Sequence, residues 1–365
     1  MWLKSLELLS RRLLMCATHH RNTVRVTSPT SLFEPTSKVL ILRHDKIGDA
    51  IITLPLLRIL RMHYPAMQID ILLSQHNASM SARLKQYTNH CWVYEKSPLK
   101  ILALLRALRR EDYDVILDPM DNASTTSSLI IQLLRCKAIG IEKSNAHVYT
   151  YLVPMLERNS VHIIERIAQT LLPFGINPKQ ESLELEYPLE KSLLRQAQQN
   201  LGEKTAPYRF GINISAGDRW RYWGRENFID FIKQFKARHH DAEIILFSAP
   251  SEADEAHAIA EAVAIKAAPA VPSLDEFAAM LVQCDLLLTP DTSVVHIAAA
   301  WKVPQVVLYS RAPGLPMVWL PYHAPHRALE TSSDFVSAIS VESALHAAEA
   351  LWQECIPKIF CPTHA

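Results

Sequence analysis

The sequence predicts an α/β protein with two mostly parallel sheets, each flanked by helices. Short β-branched runs alternate with amphipathic helical runs along most of the chain, and such alternation means parallel strands joined by helical crossovers. The alternation pauses once, over the charged, Gln-rich stretch 181–207, and then resumes. Two halves of similar size imply a cleft between them. Ligands of open parallel sheets bind beyond the carboxyl ends of the strands.

In the first half, Val39–Leu42 reads as a buried strand and Arg43–Lys46 as a polar turn. Gly48-Asp49 opens a helix that runs to about His63. Ile69–Leu73 and Val115–Leu117 are further strands, Lys100–Arg110 and Ser124–Leu134 are helices, and Gly175 stops a helix over His162–Phe174. The connecting stretch carries a helix at Leu189–Leu201. The second half runs strand Phe210–Ile214, helix Arg225–His239, strand Glu243–Phe247, then helices Glu252–Ala264 and Ser273–Val282. A strand, turn, helix and strand follow over Asp285–Tyr309, and Ser340–Trp352 is a last helix. The expected division is an N-terminal extension 1–37, a first domain 38–180, a link 181–207, a second domain 208–335 and a tail 336–365.

Composition narrows the function classes. The 365 residues carry 38 basic and 37 acidic side chains, a net charge of +1, which gives no nucleic-acid signal. Six cysteines are scattered without a C-x-x-C pair, which argues against a zinc site or a disulfide scaffold and fits a reducing compartment. The sequence holds no apolar run of about 18 residues. Glycine is scarce, with 8 residues, for a nucleotide-binding α/β protein. The segment 1–37 reads as a basic amphipathic extension, in which residues 1–15 can form a helix with Leu6, Leu9 and Leu13 on one stripe and Lys4, Arg11 and Arg12 elsewhere. That pattern suits an anionic membrane surface. A disordered extension, a misassigned start and a transit peptide are the other readings.

Two motifs stand out. In Asp285–Tyr309, Asp291 occupies the expected N-cap of the helix, with Thr292 and Ser293 in its first turn. Free backbone N–H groups, hydroxyls and the helix dipole there make an anion site; an ordinary capped helix would look the same. In the other stretch, Gly48-Asp49 is followed by Leu54-Pro55 just after a strand. Together, Gly48-Asp49 with Leu54-Pro55 and Asp291-Thr292-Ser293 with His296 and Ala298-Ala299 resemble the lipopolysaccharide heptosyltransferases of glycosyltransferase family 9. The resemblance extends over roughly Lys38–Pro321.

The resemblance implies two Rossmann-like domains facing a central cleft, the GT-B architecture, with the last helix packed back on the first domain. It implies an inverting transferase that needs no metal and no cofactor. The donor is an ADP-sugar, ADP-heptose by family, and the acceptor is the lipid A inner core. The first domain takes the acceptor and the second the nucleotide sugar, in the cytoplasm or at the cytoplasmic face of the inner membrane. Asp49 matches the family's catalytic base; helix capping is its bland alternative, and Asp45 is the other carboxylate in the turn. The donor-binding set is Ser215, Arg219, Arg221, Ser248, Asp291, Thr292, Ser293 and His296. Among these, Ser215 opens the small-residue loop Ser215-Ala216-Gly217, which lets backbone approach a phosphate, and Arg219 and Arg221 reach across it. Trp223 reads as a core anchor. The spaced carboxylates Asp112 and Asp114 precede a strand and read as solvated turn residues. The chain departs from the family at Ser248 and in the turns 118–122 and 310–313, where glycine is usual. A related transferase with another nucleotide sugar and a non-catalytic nucleotide-sugar binder are the alternatives.

Overall fold

A computed structural model describes residues 22–310 and 319–356. Residues 1–21, which carry the whole of the expected amphipathic helix, and most of the turn 310–313 lie outside the described residues. The chain divides between Leu183 and Glu184 into two compact units. No helix among the described residues is long and apolar enough to cross a membrane.

The first unit is built on strands β1 (Val24–Arg25), β2 (Lys38–Leu42), β3 (Gln68–Ser74), β4 (His90–Tyr94), β5 (Val115–Asp118), β6 (Lys137–Ile141) and β7 (Tyr151–Val153). They form one sheet in the order β1-β7-β6-β5-β2-β3-β4, with every pair parallel. This sheet begins ahead of Lys38. Its inner strand β2 is buried beyond Lys38, as a strand covered on both faces must be. The helix expected from Gly48-Asp49 to His63 is two helices, α1 (Ile47–Ile51) and α2 (Leu54–His63). Pro55 is the reason. It has no N–H for the Ile51 carbonyl, so the helix cannot run through. After α3 (Ser81–Leu84) come α4 (Pro98–Arg110) and α5 (Thr125–Leu134). The run expected over His162–Phe174 is α-helical only in α6 (Ile163–Ala168), then tightens to a 3₁₀ turn.

The second unit opens with α7 (Lys191–Leu201), the helix of the expected link, which lies against α10 described below. Then follow β8 (Tyr208–Asn213), α8 (Arg225–Arg238), β9 (Ala242–Phe247), α9 (Ala253–Ala262), β10 (Lys266–Ala267) and α10 (Leu274–Leu281). The unit ends with β11 (Leu286–Pro290), α11 (Ser293–Ala300), β12 (Gln305–Ser310), β13 (His326–Thr331) and α12 (Val341–Cys355). The sheet order is β10-β9-β8-β11-β12-β13, again parallel throughout. Aromatic side chains of α8 fill its core. Phe210 and Phe235 meet edge to face at 4.6 Å between ring centroids, and Trp223, fully buried, donates from Nε1 to the Ile339 carbonyl at 2.8 Å.

Helix α12 packs into the core of the second unit. It lies on α8, β12 and β13, and Leu351 and Trp352 belong to the same buried cluster as Phe210 and Phe231. The reason is the apolar stripe of α12, which finds its complement in the Phe-rich face of α8. Trp352 stands 5.6 Å from Phe235.

Removing the Trp223 side chain should therefore leave a large cavity and an unpaired Ile339 carbonyl. Trp223→Ala is expected to destabilise by roughly 3–5 kcal/mol, read as a lowered urea midpoint. A midpoint within about 1 kcal/mol of wild type would mean that the cluster closes over the gap.

Candidate active site

In the first unit, the turn between β2 and α1 is organised by a buried guanidinium. Arg43 is 2% exposed in its side chain. Its Nε donates to the Asp49 carbonyl at 2.9 Å and to Thr53 Oγ1 at 2.8 Å, and its Nη1 donates to Asp45 Oδ2 at 3.1 Å. Its Nη2 lies 3.9 Å from Asp49 Oδ1. The end of β3 and the loop after it brace the same turn. Asn77 Nδ2 donates to the Arg43 carbonyl at 2.7 Å, and Ser74 Oγ donates to the Asp45 carbonyl at 3.2 Å.

Asp49 stands at the third helical position of α1, where its Oδ2 accepts from the Lys46 N–H at 3.1 Å. One oxygen caps the helix while the other lies toward Arg43. The side chain is 17% exposed, so capping and access to solvent coexist. Asp45 beside it is pushed up to about 7, first by burial and then by the Asp49 charge, with Arg43 pulling the other way. Its Oδ1 is buried without a hydrogen-bond partner. His44 is held below its ordinary value by burial, against the pull of Asp118.

The carboxyl ends of β5 and β6 supply a second buried network. Asp118, fully buried, accepts from Tyr149 Oη at 2.6 Å and from Lys143 Nζ at 3.1 Å. In the turn that follows, Asp121 Oδ2 lies 3.0 Å from Arg158 Nη2 and 2.5 Å from Arg166 Nη2. The sequence reading missed Arg43, Lys143, Arg158 and Arg166. The partners of Asp118 and Asp121 lie on other elements, and no local pattern joins them. The signal for Arg43 was present, as a cation at the end of a buried strand with two carboxylates close behind. Asp114, read as solvated, has its Oδ2 engaged by the Lys38 N–H at 2.7 Å, because the turn before β5 folds against the start of β2.

The second unit brings most of the expected donor residues to the carboxyl ends of β8, β9 and β11. Asn213 Nδ2 donates to Thr289 Oγ1 at 2.9 Å and so ties β8 to β11. The Ala249 N–H donates to Ser215 Oγ at 2.6 Å, which joins the loops after β8 and β9. Ser248 in that second loop is itself buried. Arg221 Nη1 donates to the Asp291 carbonyl at 2.7 Å, lies 3.5 Å from the Asp291 carboxylate, and its guanidinium covers the Trp220 ring at 4.5 Å. Asp291 therefore positions Arg221. The N-cap of α11 is Thr292, whose Oγ1 accepts from the Val294 N–H at 3.4 Å. Asp291, expected there, is instead tied to the sheet edge, where its N–H bonds the Leu308 carbonyl at 3.0 Å. Ser293 is the first residue of α11. His296 is 3% exposed, with its ring 6.0 Å from that of Trp319.

Arg219 lines a cavity of about 390 Å³ with Ile214, Gly217, Tyr222 and Glu252, a size typical of small-ligand sites. Gly217 has φ +72° and nothing within 4 Å of where a Cβ would sit, so the loop leaves that wall open. Tyr222 donates to Glu255 at 2.5 Å on another wall. Among the described residues, no group of three or more His, Cys, Asp or Glu is placed to hold a metal ion.

The raised Asp45 has a consequence for stability. Its folded carboxyl keeps a proton that the unfolded chain releases from 3.8 upward, so its contribution to stability falls as pH rises toward about 7. Asp45→Asn removes that penalty. The stability of the variant relative to wild type should grow between the two ends of this window, measured as melting temperatures at each pH. A constant or shrinking difference would count against the raised carboxyl.

The comparisons with known proteins agree with this architecture. Lipopolysaccharide heptosyltransferase 3 of Escherichia coli K12 is 23% identical over 347 residues, covering 85% of this chain and 96% of that protein. Among solved structures, a glycosyl transferase family 9 protein of Veillonella parvula aligns with a TM-score of 0.71 at 19% identity, covering 92% of this chain and all of that one. The Escherichia coli ADP-heptose LPS heptosyltransferase II aligns with a TM-score of 0.66 at 18% identity, over 87% of this chain and 99% of that one. These structures share the GT-B class of fold, with parallel α/β sheets. Residues 101–332, more than half of the chain, match glycosyltransferase family 9 (heptosyltransferase), so the chain belongs to that family and is a glycosyltransferase.

Proposed function

We propose that this glycosyltransferase moves heptose from ADP-heptose to the inner core of lipopolysaccharide, with inversion and without a divalent metal. Membership of the family supports glycosyl transfer in lipopolysaccharide synthesis. An ADP-sugar donor is supported by two relatives, one described as an ADP-heptose LPS heptosyltransferase and one solved with ADP-2-deoxy-2-fluoro heptose. A lipid-linked acceptor puts the reaction at the cytoplasmic face of the inner membrane.

The observation that carries the mechanism is Asp49, a part-exposed carboxylate just beyond the carboxyl end of β2 with a cation 3.9 Å away. The acceptor oxygen bonds to the anomeric carbon from the face opposite the diphosphate. The old anomeric carbon–oxygen bond breaks, and its electron pair leaves with ADP. The hydroxyl proton passes to Asp49. Arg43, bonded to the Asp49 carbonyl, holds the backbone that aims that carboxylate. In the second unit, Arg221 and the N–H groups and hydroxyls of Thr292 and Ser293 receive the growing charge on the leaving diphosphate. Ser215 and Ser248 hold the two loops beside it, and the cavity at Arg219 and Glu252 takes the nucleoside. Asp291 acts through Arg221, and the buried His296 through the seating of α11.

Transfer assayed as ADP release with EDTA present tests this reading. Wild type should turn over. Asp49→Asn keeps the helix cap but has no basicity, so kcat should fall by about 10²–10⁴ with near-normal melting and donor binding. Turnover within a few fold of wild type would remove Asp49 from the mechanism, and loss of wild-type turnover in EDTA would restore a metal. Arg221→Ala takes away one charge-assisted contact, worth roughly 1.5–3 kcal/mol. A loss of about ten- to a hundredfold in kcat/KM is expected, and unchanged kinetics would make Arg221 a purely structural partner of Asp291.

A further inference from the structure

We propose that the outer face of α4, with the end of α5, is a docking surface for an anionic lipid bilayer. The surface deepens the reading above, because a lipid-linked acceptor requires an enzyme that works at a membrane.

Three leucines form an exposed crest: Leu99 at 80%, Leu102 at 45% and Leu133 at 40%. Leu99, Leu102, Arg106 and Arg109 follow one another at steps of three and four along α4, so they share one helix face. Arg109 Nη2 donates to the Leu133 carbonyl at 2.8 Å, which fixes the end of α5 against that face. Exposed cations lie on α4 or within about three residues of the ends of α4 and α5. Lys96, Arg106, Arg110, Arg135 and Lys137 are all exposed, and among the described residues none has a carboxylate partner. Lys100 differs, since it pairs with Glu95. The exposed carboxylates after α4 are Asp112 and Asp114, and Asp114 is engaged by the Lys38 N–H.

The chemistry selects the occupant. Unpaired cations around branched alkyl side chains match a bilayer interface, where the alkyl groups enter the headgroup boundary and the cations meet lipid phosphates. A protein partner would bury a core depleted of charge and rich in aromatic side chains, unlike this crest. Nucleic acid would leave the leucines in water.

The test is co-sedimentation of the full chain with phosphatidylcholine vesicles, with and without phosphatidylglycerol. Wild type should bind the anionic vesicles and bind the neutral ones several-fold more weakly, with the difference lost in high salt. Two double variants probe the face, Leu99→Ser with Leu102→Ser and Arg106→Glu with Arg110→Glu. Each should lower anionic-vesicle binding by about tenfold or more. Each should also melt like wild type and turn over a soluble acceptor fragment within about twofold, since no reacting group lies on α4. Wild-type binding to both kinds of vesicle alike, or undiminished binding by either double variant, overturns the proposal. Failure of the transferase reading would appear instead as no turnover of the soluble fragment by wild type, whatever the sedimentation shows.

Discussion

The first unit depends on one buried cation. Arg43 is held at the end of a fully buried strand, and a guanidinium there must find acceptors for its fork of donors. It finds them in the Asp45 carboxylate, the Asp49 carbonyl and Thr53. That choice sets the path of the chain. The turn wraps around the cation, α1 begins where Asp49 can cap it, and two carboxylates share a neighbourhood they would otherwise repel each other from. Breaking a buried charged group from its partners costs far more than the pair contributes, so the geometry around Asp49 is over-determined.

The second unit achieves the same end with neutral groups and one half-buried ion pair. Asn213 bridges β8 to β11, Ser215 bridges the loops after β8 and β9, and Arg221 bridges the loop after β8 to the turn before α11. Each bridge joins residues far apart in sequence through strands that are neighbours in the sheet. The loops at this edge are therefore positioned by the scaffold, although no one of them is regular.

Much of the fold is legible in the sequence because its strands are buried on both faces. Val39–Leu42 and Leu286–Leu288 read as continuous apolar runs, and such runs admit few other interpretations. The edge strands do not read. Val24–Arg25 and Lys266–Ala267 are two residues long, and β13 is half-buried and polar, so none carries a pattern. The cap of α11 was displaced by one residue because β11 runs through Pro290, which pairs with Leu308; strand length is a tertiary outcome that a local motif does not contain. The layout of the candidate site was legible at Asp49 and Arg221, which stand in the expected turns beyond β2 and β8. It was not legible where a distant partner decides the role, as for Asp118 with Lys143, Asp121 with Arg166, or the burial of His296.

The break between α1 and α2 bears on how this chain could be stabilised. An uninterrupted helix from Ile47 to His63 would be the more stable local structure. It would also draw the Thr53 N–H, which now bonds Ala50 at 3.2 Å, onto the Asp49 carbonyl. That carbonyl is already the acceptor for Arg43 and for the Thr53 hydroxyl at 2.7 Å. Pro55 therefore keeps an acceptor open for the guanidinium by denying the helix its continuity. A substitution chosen there for helix propensity would strengthen the backbone at the expense of the turn that holds Asp49, and with Asp49 as the proposed base, activity and thermal stability would diverge at this position.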